Sequence, residues 1–205
     1  MATVMTGVVE WAVAEMVLPG QVESGDRYLV TPTPDGALVA VVDGLGHGAE
    51  AAGAALTAVR CLEQDARQPV ISLIRSCHAR LAATRGAVMS VAAFNVRDET
   101  MTWVGVGTVE GVLLRAHSTV SPRRESLLLR GGVVGVHLPA LFASIIPVVR
   151  GDTLILATDG VRTDFAEHLV PGGPAQQLAD RIVAEWGTRT DDTLVLVARY
   201  LGPAA

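Results

Sequence analysis

Short apolar runs rich in Val, Ala and Leu alternate along this chain with turns built from Gly, Pro and Asp. Ala37 to Val42 is an unbroken apolar run that reads as a buried strand. It stops at Asp43, where Gly44, Gly46 and Gly48 allow a tight turn and a close approach of backbone. Ala49 to Arg67 then lacks proline, is rich in Ala and has the spacing of a helix packed on one side. Past Gln68-Pro69, Val70 to Thr84 keeps Ile71, Ile74, Cys77 and Leu81 at helical intervals. Two helices in succession can cover one face of a sheet.

The rest of the pattern is strand-like. Gly7 to Leu18 and Arg27 to Thr31 read as strands around a Pro19-Gly20 turn, and Pro32, Pro34 and Asp35-Gly36 connect the second to the Asp43 strand. Five β-branched runs follow: Val88 to Val96, Met101 to Val109, Gly111 to Ala116, Ser126 to Leu129 and Leu141 to Val149. Ser118 to Arg124 and Gly131 to Pro139 separate some of them as loops, the second reading as mobile. Thr153 to Ala157 is a further strand. A short helix over Arg162 to Leu169, a Pro171-Gly172-Gly173-Pro174 break, a helix over Ala175 to Trp186 and a strand over Thr193 to Tyr200 complete the chain. Strand runs set apart from helix pairs predict an α+β fold rather than a parallel βαβ sheet. No repeat, low-complexity segment or linker divides residues 1–205, so one domain is expected.

Composition narrows the chemistry. With 205 residues, half of them hydrophobic, the chain can bury a substantial core. A net charge of -5 argues against nucleic acid or an acidic membrane surface as partner. All 16 basic residues are Arg, which excludes a P-loop, a Schiff-base lysine and a kinase-type phosphate lysine. Cys61 and Cys77 lack metal spacing and read as buried thiols. No apolar run reaches membrane-spanning length and the first residues lack a secretion signal, so a soluble cytoplasmic protein is expected. The histidines show no zinc spacing, and there is no GxSxG nucleophile elbow.

What remains is acid at strand ends. Asp159-Gly160 repeats after Thr153 to Ala157 the arrangement of Asp43-Gly44, Asp191-Asp192 precedes the last strand, and Asp26 heads Arg27 to Val30. A lone Asp-Gly is usually only a turn cap. Several such carboxylates converging on one sheet edge would repel one another unless a cation held them. All-oxygen donors suit a hard cation such as Mg²⁺ or Mn²⁺.

In order, GDRYLV from Gly25, DGLGHG from Asp43, RGAVMS from Arg85, RGDTLILATDGV from Arg150 and TDDTLVLV from Thr190 resemble the metal-dependent protein phosphatases of the type 2C (PPM) family. The resemblance runs from about Gly25 to Tyr200. It is greatest to the small bacterial branch of sporulation and stress-response serine phosphatases, especially the feedback phosphatase of the stressosome. It implies a four-layer α/β/β/α sandwich, two antiparallel sheets flanked by helix pairs, with a metal site at one edge. It further implies two ions, Mn²⁺ or Mg²⁺, and an activated hydroxide that attacks a phosphoserine or phosphothreonine of a stress-signalling scaffold or antagonist protein. Asp43 and Asp159 would be central to catalysis. Asp43 would bridge the ions, the Gly44 carbonyl would join the second, Asp159 and either Asp191 or Asp192 the first, and Asp26 would stand near the second.

Three departures from the family pattern stand out. Leu45 occupies the place where many members carry a proton-donating His, and His47, which follows later, reads better as a solvated helix start. No Arg precedes Asp26 to hold phosphate, leaving Arg85 or Arg27 as substitutes. Thr193 follows the acid pair one place early, which turns its side chain to the other sheet face. Two other readings stay open: a phosphatase-fold interaction module without turnover, and a two-metal hydrolase of small phosphoesters.

Overall fold

The computed structural model describes residues 3–170 and 172–203; Pro171, in the break before the last helix, lies outside them. Strands β1 (Val4–Thr6), β2 (Val9–Met16), β3 (Asp26–Thr33) and β4 (Gly36–Gly44) are followed by helices α1 (Ala49–Gln64) and α2 (Val70–Leu81). Then come β5 (Ala87–Asn95), β6 (Thr100–Val106), β7 (Glu110–Leu114), β8 (Arg124–Ser126), β9 (Leu129–Arg130), β10 (Ser144–Pro147) and β11 (Thr153–Ala157). A 3-10 turn (Thr163–His168), α3 (Ala175–Trp186) and β12 (Thr193–Tyr200) end the order.

The strands form two sheets, β1-β2-β12-β11-β7-β8 and β10-β6-β5-β4-β3, antiparallel except where β9 joins β6 in parallel. Strand periodicity explains the stacking, because successive side chains point to opposite faces. On β4, Ala37, Val39 and Val41 fill the core between the sheets, while Leu38, Ala40 and Val42 face α1 and α2. On β12, Leu194, Leu196 and Ala198 enter the same inter-sheet core, while Val195 and Val197 face α3. Strands buried on both faces read in sequence as continuous apolar runs. The four layers are therefore helices, sheet, sheet, helix, as the resemblance implies.

Several boundaries differ from the expected ones, each for a local reason. The outer layer beyond β12 is one α-helix and a 3-10 turn rather than a helix pair. The six residues Thr163–His168 lie between extended residues Arg162 and Leu169, too few for a packed α-helix. Pro32 is inside β3 and not in the connection, tolerated because β3 is an edge strand. The expected strand Ser126 to Leu129 is a crossing: β8 pairs with β7 of one sheet and β9 with β6 of the other, while Leu127 tucks into the inter-sheet core. Strand β1 was not expected at all, and it extends β2 as a hairpin around Gly7. The loop 131–139 is tied down: Ala87 and Val134 exchange both main-chain hydrogen bonds at 2.9 and 3.0 Å, and the Gly135 N–H donates to His78 Nδ1 at 2.8 Å.

No described helix is long and apolar enough to cross a membrane.

Candidate active site

The acids gather where the two sheets open at one edge. Continuing the β4 periodicity, Asp43 falls on the inter-sheet face of Val39 and Val41, one step past the apolar core. On β3 the same face carries Tyr28 and Val30, and Asp26 continues it. Asp26 and Asp43 are direct partners in the β3–β4 register. From the other sheet, Asp159 follows β11 and Asp191 precedes β12, and β11 and β12 are themselves paired. Asp43, Asp159 and Asp191 line a single pocket of about 490 Å³, with Asp26 buried behind Asp43.

Two glycines let this edge close. An added side-chain carbon on Gly44 would lie 2.0 Å from the Ala51 carbonyl oxygen, so the first turn of α1 packs directly on the strand end. One on Gly160 would lie 2.0 Å from the Asp192 carbonyl oxygen. In both Asp-Gly pairs glycine answers a close approach of backbone.

The pair Asp191-Asp192 divides its labour. Asp192 is buried, its Oδ1 accepting the Leu18 N–H at 2.8 Å and its Oδ2 the Gly25 N–H at 2.7 Å. It clamps the segment that leads into Asp26 and does not line the pocket. Asp191 lines the pocket, its Oδ1 accepting the Asp192 N–H at 2.8 Å. Thr193 faces away from the inter-sheet core, as expected, with its hydroxyl 3.3 Å from the Gly160 carbonyl.

Two threonines escaped the sequence reading. Thr158 Oγ1 donates to Asp26 Oδ2 at 2.8 Å and accepts the Leu194 N–H at 2.9 Å, locking Asp26 to the opposite sheet. Its signal was available, because Thr158 extends the inward face of Leu154 and Leu156. Thr108 Oγ1 donates to Asp159 Oδ2 at 3.2 Å, and nothing in the sequence marks it.

Electrostatics define the site further. Burial, and then the carboxylates of Asp26, Asp159, Asp191 and Asp192, push Asp43 up to about 8. Burial likewise raises Asp26 to about 7, opposed by the Thr158 hydroxyl and reinforced by Asp192, Asp159 and Asp191. Asp191 is raised by burial, an effect eased by its hydrogen bond from the Asp192 N–H and by His47. His47 is exposed directly before the Gly48 N-cap of α1, as expected, and from there it also lines the pocket. Arg27 is spent on its own neighbourhood, donating to the Ser24 and Asp26 carbonyls and pairing with Glu23. Arg85 lies at the rim, paired with Glu50, its Nη1 2.7 Å from where a side-chain carbon on Gly46 would stand.

Like charges crowded together, all on oxygen, fit a hard divalent ion. Among the described residues no three acidic, imidazole or thiol side chains surround one point closely enough to hold an ion by themselves. An ion held there would need main-chain oxygen or water beside these carboxylates.

The layered sheets with an acidic edge are those of the type 2C protein phosphatase fold. A structure of RsbX in complex with magnesium superposes with a TM-score of 0.85 at 22% identity, over 97% of this chain and 98% of that one. A structure from work on the bacterial stressosome, described as a modular system adapted to control secondary messenger signaling, gives 0.83 at 28% identity, over 93% and 99%. Residues 33–201 match the family model for stage II sporulation protein E, SpoIIE, and the chain belongs to that family. In sequence it is also similar to the phosphoserine phosphatase RsbX of Bacillus subtilis (strain 168), 25% identical over 177 residues, 85% of this chain and 86% of that one.

Proposed function

We propose that this chain is one catalytic domain over residues 1–205, a metal-dependent protein serine/threonine phosphatase acting on a stress-signalling phosphoprotein. The observation that carries this reading is the pocket itself: Asp43, Asp159 and Asp191 arrive from three separate strand ends and both sheets, with Asp26 buried behind them. The family membership and the likeness to RsbX support phosphoserine as the substrate class. The likeness to a stressosome structure supports a scaffold or antagonist protein of that signalling class as partner. Nucleic acid and membrane are not partners in this reading.

Two ions, Mn²⁺ or Mg²⁺, are the proposed cofactors, held by Asp43, Asp159, Asp191 and the Gly44 carbonyl, with Asp26 adding the fourth carboxylate that they balance. Such ions supply Lewis acidity toward water and phosphate oxygens at neutral pH. The chain's own residues do the rest. Asp192 fixes the segment entering Asp26 through its two main-chain hydrogen bonds, and Thr158 fixes the Asp26 carboxylate. Thr108 orients Asp159 from the pocket wall. His47 stands at the same wall, where an imidazole can give a proton to the departing seryl oxygen.

The test is hydrolysis of an aryl phosphate with Mn²⁺ or Mg²⁺. Chelator should abolish it and added metal restore it, and Asp43→Asn and Asp159→Asn should each nearly abolish it in a folded chain. Turnover unchanged in excess chelator would remove the metal-dependent reading, and no turnover with either metal would leave the interaction module.

A further inference from the structure

A second recess lies beside the acidic pocket. Thr108 and Gly131 line the pocket; Glu110, two residues after Thr108, and Leu129, two residues before Gly131, line a neighbouring recess of about 470 Å³. Arg124 lines that recess and also a third of about 380 Å³, where Pro122, Arg123 and Val170 meet it. Thr108, Glu110 and Leu114, in order along the chain into and through β7, line the three depressions in turn, the last of which meets an exposed arginine pair.

Arg124 is held at the junction. It sits opposite Leu114 in the β7–β8 register, and its Nη1 donates to the Glu167 carbonyl at 2.7 Å. A main-chain oxygen positions the guanidinium without cancelling its charge. Among the described residues neither Arg123 nor Arg124 pairs with a carboxylate, whereas nearby Arg115 is held by both Glu125 and Asp152. These are the only two basic residues adjacent in the sequence of a chain whose net charge is -5. The acids on the path are Glu167 and Glu110, and burial pushes the Glu110 carboxyl up at the end nearer the site.

We propose that this path docks the polypeptide flanking the phosphorylated residue, and that Arg123 and Arg124 select acidic side chains within it. The proposal rests on the phosphatase reading above and names the substrate feature that the catalytic pocket does not see. Remote contacts of this kind position a phosphate for attack and distinguish one phosphoprotein from another. At about 3.3 Å per residue, an extended chain running from Thr108 to the level of Arg124 places the acids roughly four to six residues from the phosphoserine.

Three fluorescent phosphoserine peptides of equal length separate the outcomes: glutamates four to six residues before the phosphoserine, the same after it, or glutamine at both. Binding by anisotropy and turnover are measured for the parent and for Arg123→Ala/Arg124→Ala. One acidic peptide should bind more tightly than the glutamine peptide and exceed its kcat/KM about tenfold, through KM. The double variant should lose that preference while hydrolysing an aryl phosphate at the parent rate. Equal treatment of the three peptides by the parent, or a preference surviving in the variant, overturns the docking path. Absence of aryl phosphate hydrolysis in the parent would instead count against the phosphatase reading, while anisotropy still reports docking.

Discussion

Asp26 and Asp43 stand directly opposite each other across β3 and β4, a cross-strand pair of carboxyls at the edge of the sandwich, the first buried and the second partly so. Such pairs destabilise a sheet unless something neutralises them. Burial first, and then the carboxylates around them, push Asp26 up to about 7 and Asp43 up to about 8, so without metal both hold protons below those values. In the unfolded chain each would titrate near the ordinary value of about 3.9. Between these limits the folded state holds protons that the unfolded chain has released, so the stability these two groups contribute is fully present below about pH 4 and is lost as pH rises through about 8. The metal-free parent should therefore lose more Tm between pH 5 and pH 8.5 than metal-free Asp43→Asn does. Parallel Tm profiles for the two chains would show that Asp43 carries no such proton.

Asp191 and Asp192 should fail in different ways. Asp191→Asn leaves the fold intact and removes a pocket carboxylate, so turnover collapses at unchanged Tm. Asp192→Asn turns an amide N–H toward the buried N–H of Leu18 or Gly25. An orphaned buried donor costs about 1–3 kcal/mol, which a lowered denaturation midpoint would report. If Asp192→Asn keeps full stability and loses all activity, Asp192 is the ligand and the assignment reverses.

Glycines 44 and 53 offer a matched contrast. Gly44→Ala drives a methyl group into the Ala51 carbonyl and should cost on the order of 3 kcal/mol, with loss of activity as α1 shifts. Gly53 lies within α1 with nothing within 4 Å of an added methyl. Gly53→Ala should stabilise by about 0.5–1 kcal/mol through helix propensity. Chemical denaturation of both variants checks the pair, and a tolerated Gly44→Ala would mean the α1 contact is looser than described.

His47 is best tested by leaving group. A seryl alkoxide needs a proton on departure and an activated aryl oxide does not. His47→Ala should thus lower kcat on a phosphoserine peptide about 100-fold, within the range of a general acid, and barely affect an aryl phosphate. Equal losses on both substrates would show that His47 shapes the pocket without donating a proton.

Much of this protein could be read from the order of its residues. The Asp43 strand, α1, α3 and β12 were legible because their periodicity is local, and the last two were expected with the same end residues that they have. The candidate ligands were legible because Asp-Gly after an apolar run is a local pattern that happens to recur. Pairing is a different matter. Whether Ser126 to Leu129 lay in one sheet or crossed between two depended on Leu127 finding the inter-sheet core, a contact with residues distant in sequence.

The division of roles at the last acid pair was likewise decided only in three dimensions. Two adjacent aspartates are chemically identical in sequence, but strand alternation sends Asp192 inward to the Leu18 and Gly25 amides and leaves Asp191 at the pocket. Thr158 and Thr108 acquired their roles in the same way, through partners 132 and 51 residues away. Periodicity along the chain tells which face a side chain takes; only the packing of both sheets decides what that face meets.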